Sequence, residues 1–293
     1  MAATSSRTRS WLFAPGDSAR KTEKAIASEA DRIILDLEDS VALEAKPEAR
    51  RMVAAALDGA GEYRARIWVR INPLAGGLAP ADLDAIMPAR PRGIMLPKSE
   101  SGVDVATLDE LLTAHERKHG IAPGATRVIA LVTETAAAMF GTGTYRAAPR
   151  LAAMSWGAED LADSIGAMSN LGPDGRYRPT YELARSLCLL GAAAAGVQAI
   201  ETIMQDFRDL DGLKARAEMV QRDGFRGMLA IHPDQVPVIN AAFTPGDDEI
   251  AEARHIVQLF AQNPGAGTIA GPKGMLDRPH LSRAQQILAQ LDE

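Results

Sequence analysis

The sequence predicts an α/β protein of the (β/α)8 TIM-barrel class with a C-terminal helical extension. Eight short apolar segments alternate with helical patterns along the chain, and eight strand–helix units are the number that closes a barrel, whereas a doubly wound sheet usually stops sooner. The apolar segments are continuous runs, as expected of parallel strands buried on both faces. The 293 residues exceed the roughly 200–250 that such a barrel fills, which leaves room for an appendage.

In chain order the strand segments are SWLFAPG (10–16), RIILDLED (32–39), RIWVRINP (66–73), GIMLPKSE (93–100), RVIALVTET (127–135), AAMSWGAED (152–160), GVQAIETI (196–203) and GMLAIHPDQ (227–235). Each is apolar at its start and polar or turn-forming at its end. Helical patterns fall between and after them. The first, 18–31, has Lys21, Lys24 and Glu29 outward; the second, 46–58, opens at Pro47, where the missing N–H of proline costs nothing. The others are 80–87, 103–119, 136–140, 180–195, 209–223 and 234–242. Beyond the eight units, 248–262 reads as a helix with Ile250, Ile256, Val257, Leu259 and Phe260 apolar. A glycine-rich NPGAGTIAGPKG and a last helix from about 279 to 292 follow. Residues 1–245 are therefore expected to form the barrel. Residues 246–293 are too few for a domain of their own and should pack on the barrel or on a neighbouring subunit.

The composition excludes several classes of function. With 46% hydrophobic and 24% charged residues the chain can bury a full core. A net charge of −6 without long blocks of like charge argues against nucleic-acid binding. No run of about 18 apolar residues is present to span a membrane, and the opening MAATSSRTRS lacks the apolar centre of a signal peptide. The single cysteine, Cys188, permits neither a disulfide framework nor a thiolate metal site. It reads as a packed core thiol, and a cytoplasmic location fits best.

Chemistry in this fold is assembled where the strands end, because the loops that follow them surround one open mouth. The polar residues gather there: Glu38 and Asp39, Arg70 and Asn72, Lys98, Glu134, Asp160, Glu201 and His232. Carboxylates from separate strands with few cations among them repel one another unless they share a divalent ion. All-oxygen donors favour Mg2+, or Mn2+, over zinc. Magnesium keeps open positions for a substrate carboxylate or carbonyl, and Arg70 is placed to bind a second oxygen in forked geometry. An oxyacid substrate is expected, with Glu38, Asp39 and Glu134 beside it.

The blocks RSWLFAPGD (9–17), LDLEDSV (35–41), VRIN (69–72), MLPKSES (95–101), ALVTETA (130–136), WGAEDLA (156–162) and GFRGMLAIHPDQ (224–235), taken in order, resemble the citrate lyase β-subunit-like branch of the HpcH/HpaI aldolase family, which includes malyl-CoA and citramalyl-CoA lyases. The resemblance runs through essentially the whole chain. It implies a Mg2+-dependent enzyme that cleaves or forms a carbon–carbon bond next to an acyl-CoA thioester, giving acetyl-CoA and glyoxylate or pyruvate. It implies further that Glu134 and Asp160 are the metal ligands and that Arg70 contacts the substrate oxygens. Lys21 and Lys24 stand where the family places cations near the coenzyme A phosphates; solvated charges on a first helix are the plain alternative. The tail GPKGMLDRPHLSRAQQIL (271–288) resembles the CoA-lyase C-terminus, in which an aspartate, here Asp277, enters the adjacent subunit's site as acid/base. Its approach is longer and richer in glycine than the family's usual tail. An N-cap for the last helix is the competing role for Asp277. A homotrimer or homohexamer with exchanged tails follows from the same resemblance. A malyl-CoA thioesterase on this scaffold and a citrate lyase β-type subunit active only in a complex are the alternative readings.

Other motifs carry less. HERKH (115–119) has the spacing of a zinc-peptidase helix but reads as a capped helix end without a third ligand. FGTGTY (140–145) lacks the third glycine of a nucleotide loop, and AMSWG (153–157) lacks the first glycine of a nucleophile elbow. His232, before a proline, is expected to make a structural hydrogen bond.

Overall fold

The computed structural model describes residues 8–272 and 274–291. Eight parallel strands close into one barrel in sequential order: β1 (Ser10–Pro15), β2 (Arg32–Asp36), β3 (Ile67–Arg70), β4 (Gly93–Leu96), β5 (Arg127–Leu131), β6 (Leu151–Ser155), β7 (Gln198–Glu201) and β8 (Gly227–Ala230). The ring is completed by β1 against β8, with Trp11 opposite Leu229. Around it run α1 (Ala19–Ile26), α2 (Lys46–Gly59), α3 (Ala79–Ile86), α4 (Gly102–Lys118), α5 (Ala158–Ser164), α6 (Pro179–Ala195), α7 (Leu210–Asp223) and α8 (Gln235–Ala242).

Side chains of a strand alternate between two faces, and here the two faces make two cores. Ile34, Trp68, Met95, Ile129, Leu131, Ala153, Ile200 and Leu229 fill the barrel interior with Trp11. Ile33, Leu35, Ile67, Val69, Ile94, Val128, Ala130 and Met228 face outward and join the helices in a second, larger cluster. Both faces are apolar, which is why the strands read as unbroken runs. Trp68 fills so much of the interior that a Cβ on Gly93 would lie 2.2 Å from its ring. Glycine there is a steric requirement.

Some elements differ from the sequence expectation. The first helix ends at Ile26, where the Ser28 hydroxyl bonds to the Ala25 carbonyl. Segment 136–140 forms no α-helix; two short 3-10 turns, Ala138–Phe140 and Thr142–Tyr145, take its place. The unit after β6 instead carries two helices, α5 and α6, and α5 is the one the sequence reading missed. Beyond the barrel lie α9 (Asp247–Gln262), a two-stranded antiparallel hairpin of β9 (Thr268–Gly271) and β10 (Gly274–Asp277), and α10 (Arg278–Ala289), which packs on α9. The hairpin occupies what reads in sequence as a glycine-rich linker.

HERKH ends α4, with its histidine rings half-buried and stacked. Its Glu116 is fully buried, accepts from the Gly124 and Thr126 amides and pairs with Arg150. That makes the motif a structural anchor. Cys188 is buried in α6, and burial pushes its thiol above the ordinary range. No helix among the described residues is long and apolar enough to cross a membrane.

Candidate active site

At the C-terminal mouth of the barrel lies a cavity of about 640 Å3, lined among others by Phe13, Asp36, Arg70, Glu134, Gly157, Asp160, Thr202, His232 and the basic Arg20, Lys21 and Lys24 of α1. The inward alternation of β2 that buries Ile34 brings Asp36 to this end, and that of β3 brings Arg70 two residues after Trp68. The two side chains meet as a fork: Arg70 Nε donates to Asp36 Oδ1 at 2.6 Å and Nη2 to Oδ2 at 2.7 Å. The third guanidinium nitrogen, Nη1, is 2.8 Å from Glu38 Oε2, and the plane sits 5.0 Å from the Phe13 ring centroid. Burial alone would raise the Asp36 carboxyl, but the charge and hydrogen bonds of Arg70 hold it below the usual carboxylate range. Arg70 is thus fixed in place and permanently charged.

Lys98, just past β4, ties the acidic residues together. Its Nζ lies 3.0 Å from Glu38 Oε1 and 3.1 Å from Asp160 Oδ1, while its backbone N–H donates to Glu134 Oε2 at 2.6 Å. To point both groups this way the residue adopts a left-handed φ of 50°, a conformation that costs a non-glycine residue free energy. Its ammonium is held above the ordinary lysine value, because the Glu38 and Asp160 charges outweigh the burial that opposes them. Glu38 is pushed up to about 7; burial is the largest influence, Asp39 adds to it, and Arg70 and Lys98 offset only part. Glu134 rises well above its ordinary value through burial and then through the charges of Asp160 and Glu38.

Glu134 packs so tightly on Gly157 that a Cβ there would lie 2.8 Å from its Cγ and 2.9 Å from Oε1. A rigid, desolvated carboxylate raised by a second one in the same cavity is a site that a cation would stabilise. The donors are hard oxygens. Among the described residues no three His, Cys, Asp or Glu converge as a metal cage, so protein would contribute two carboxylates, which fits the magnesium habit of keeping water or substrate in its other positions.

The structure brings Arg70, Glu134, Asp160, Lys21, Lys24 and His232 to one cavity and places the remaining expected residues elsewhere. Glu38 and Asp39 do not line it: Glu38 lies buried beneath Arg70 and Lys98, and the half-exposed Asp39 is 3.7 Å from Lys98 Nζ. Glu201 is drawn out of the expected acidic cluster, because Ile200 and Thr202 take the inward positions. It accepts instead from Trp156 Nε1 at 3.0 Å and Arg216 Nη2 at 2.7 Å. Asn72 is held by Asp82. His232 makes the expected structural contact, accepting from the Asp234 amide through Nδ1, and its ring stacks on Phe207. Asp277 is not among the cavity residues of its own chain. It N-caps α10, and His280 Nδ1 lies 2.5 Å from its Oδ1. That contact holds the carboxyl below its ordinary value. Sequence reasoning missed Asp36 and Arg20; the available signal for Asp36 was the period of two counted inward from Ile34.

Residues 9–233 match the family model described as HpcH/HpaI aldolase/citrate lyase. The chain belongs to the HpcH/HpaI aldolase/citrate lyase family. Within it, the chain is 33% identical over 290 residues to a (3S)-malyl-CoA thioesterase of Cereibacter sphaeroides, covering 97% of this chain and 94% of that protein. It is 32% identical over 296 residues to the mitochondrial citramalyl-CoA lyase of Rattus norvegicus, covering 96% and 85%. Among solved family structures it is similar to the protein CitE from Mycobacterium tuberculosis in complex with magnesium, acetoacetate and coenzyme A, with a TM-score of 0.82, 35% identity and coverage of 98% and 99%.

Proposed function

We propose that the protein is a Mg2+-dependent carbon–carbon lyase that cleaves, or in reverse forms, a 3-hydroxyacyl-CoA such as malyl-CoA or citramalyl-CoA, with acetyl-CoA and glyoxylate or pyruvate as the smaller partners. The observation that carries the reading is the convergence of a buried, fork-held Arg70 with the carboxylates Glu134 and Asp160 in one cavity whose rim bears Arg20, Lys21 and Lys24. The relatives that act on acyl-CoA thioesters, and the one bound to magnesium and coenzyme A, support it.

Glu134 and Asp160 would hold the metal, which when bound polarises an oxo-acid oxygen as a Lewis acid. Arg70 faces the oxygens where negative charge develops. Its planar fork is already spent on Asp36, so it arrives at substrate preoriented and needs no reorganisation as the charge forms. Lys98 keeps Asp160 and Glu38 in position without entering the cavity. Arg20, Lys21 and Lys24 would meet the phosphates of the coenzyme.

The proton at the acetyl carbon is assigned to Asp277 of a neighbouring subunit, in a homotrimer or homohexamer with exchanged tails. Within its own chain Asp277 is not among the residues that line this cavity, and its position at a helix start leaves the side chain partly exposed to a partner. Acting as acid/base requires it to part from His280, since that contact lowers its pKa while proton transfer near neutrality favours a raised one.

Incubation of the purified chain with malyl-CoA and with citramalyl-CoA, with and without Mg2+, tests the reading. Release of glyoxylate or pyruvate only with the metal supports it; malate with free CoA marks a thioesterase, and no turnover marks a subunit that needs partners.

A further inference from the structure

Glu201, at the end of β7, is fully buried, and the chemistry above leaves it unused. One carboxylate oxygen, Oε2, accepts from Trp156 Nε1 at 3.0 Å; the other, Oε1, accepts from Arg216 of α7 through Nη2 at 2.7 Å and Nε at 3.2 Å. The same Nη2 donates to the Tyr177 hydroxyl at 2.7 Å. The guanidinium lies 4.6 Å from the Tyr177 ring centroid, and that ring meets Trp156 edge to face at 5.1 Å. A single carboxylate thus ties together the end of β6, the end of β7, α7 and the segment leading into α6.

Trp156 stands where this network meets the site. Its side chain belongs to the outer core between the strands and the helices, while residues 156–160 line the cavity in an unbroken row. Gly157 is the surface on which Glu134 packs, and α5 starts at Ala158 with Asp160 in its first turn. Both carboxylates proposed to hold the metal therefore depend on how the backbone leaves Trp156: Glu134 rests against that turn and Asp160 is carried by it.

We infer that Glu201 is a positioning residue for the metal site, acting through the Trp156 indole; the inference rests on the reading of Glu134 and Asp160 as Mg2+ ligands. An indole has one N–H to donate, and when buried that N–H costs free energy unless it is bonded. A fixed acceptor selects one rotation of the ring, and the ring in turn holds the backbone that follows it. A carboxylate suits this place because both of its oxygens accept, one towards the indole and one towards Arg216. Glutamine has the same shape but a single accepting oxygen, so its amide must set N–H against N–H on one side. Arg216 offsets the charge of Glu201 in a charge-assisted bond, which lets the acid serve as an anchor without adding net charge behind Glu134 and Asp160.

The test is read on the indole and on the metal, in the full chain. Its three tryptophans differ at the indole nitrogen: Trp11 donates to the Thr8 carbonyl, Trp68 has no hydrogen-bond partner among the described residues, and Trp156 is bonded to Glu201. NMR correlation spectra of the 15N-tryptophan-labelled protein separate the three signals, and Trp156→Phe assigns the third. Mg2+ should move the Trp156 signal and leave those of Trp11 and Trp68 in place. Glu201→Gln should shift the Trp156 signal without metal and weaken Mg2+ binding in calorimetry by about fivefold, short of the roughly 10–100-fold loss that follows removal of a group bonded to a ligand itself. Trp156→Phe should weaken it to a similar extent, and the double variant no further, because both changes cut the same link. Glu116→Gln, at the structural anchor of α4, should lower stability and leave both the Mg2+ affinity and the Trp156 signal unchanged, which separates positioning from fold damage. A parent protein that binds no Mg2+ overturns the ligand reading and this inference together. Where the parent binds it, a Trp156 signal that Mg2+ does not move overturns this inference alone. So does a Glu201→Gln variant that binds as tightly as the parent, or a double variant whose loss is the product of the two single ones.

Discussion

Glu38 is 3% exposed and ionises near 7 in the folded chain, against an ordinary value of 4.5. The perturbation to make is Glu38→Gln, in metal-free buffer. Below about pH 4.5 the wild-type carboxyl is protonated in folded and unfolded chains alike and has no effect on the balance. Between 4.5 and 7 the folded chain retains a proton that the unfolded chain has released, so stability falls as pH rises. Above 7 both forms are ionised and the loss is complete. A shift of this size corresponds to about 3 kcal/mol. Glutamine does not titrate, so the variant should lack that fall. Glu134 is raised in the same direction, in part by the Glu38 charge itself, so the variant relieves that repulsion as well and the Glu134 share adds to the difference with the same sign. Urea unfolding of both proteins at half-unit steps from pH 4.5 to 8 gives the curve. The stability difference, variant minus wild type, should rise by at least about 3 kcal/mol across that range. A difference that stays flat, or that moves the other way, would refute the claim that burial outweighs Arg70 and Lys98 at this carboxyl.

Other expectations follow from the same geometry. Arg70→Ala should lower turnover by about 10² to 10³, the usual effect of losing one preorganised oxyanion donor, and should also destabilise the fold by about 3–5 kcal/mol, because Asp36 is left buried and unpaired. Arg70→Lys should fail to restore turnover, since an ammonium cannot reproduce the fork; steady-state kinetics beside thermal unfolding separates the two effects. Gly157→Ala forces Glu134 to move and should weaken Mg2+ binding in calorimetry, with an overpacking cost of about 1–3 kcal/mol; Mg2+ binding as tight as in wild type would mean that Glu134 is not a ligand. Asp277→Ala should abolish turnover at saturating Mg2+, yet mixing and reassembling it with Arg70→Ala should restore part of the activity, because one mixed site then carries both intact residues. No recovery in co-assembled mixtures would count against tail exchange.

The strand-by-strand reading placed the barrel because both faces of its strands are apolar, Ile33 and Leu35 outward and Ile34 inward, so that each strand stands out in the sequence as an unbroken run. It failed at strand ends for one physical reason. A strand that stops at Asp36 leaves Glu38 in the following loop, and a run read through to residue 39 therefore credits the wrong acid with the inward position. Glu201 was misplaced for a related reason, since Ile200 and Thr202 occupy the inward positions on either side of it. The hairpin of β9 and β10 was illegible because its glycines signal a flexible linker as strongly as a turn.

The amino-acid order alone determined the number of units, the parallel sheet, and the end of the barrel where polar groups collect, Arg70, Glu134 and Asp160 of one cavity among them. The tertiary structure decided which of these groups touch. Arg70 meets Asp36 across 34 positions, and Lys98 meets Glu38 across 60. Charge, burial and proton affinity are set by such distant neighbours through space. Local periodicity says which way a side chain points, and only the closed ring says what it faces.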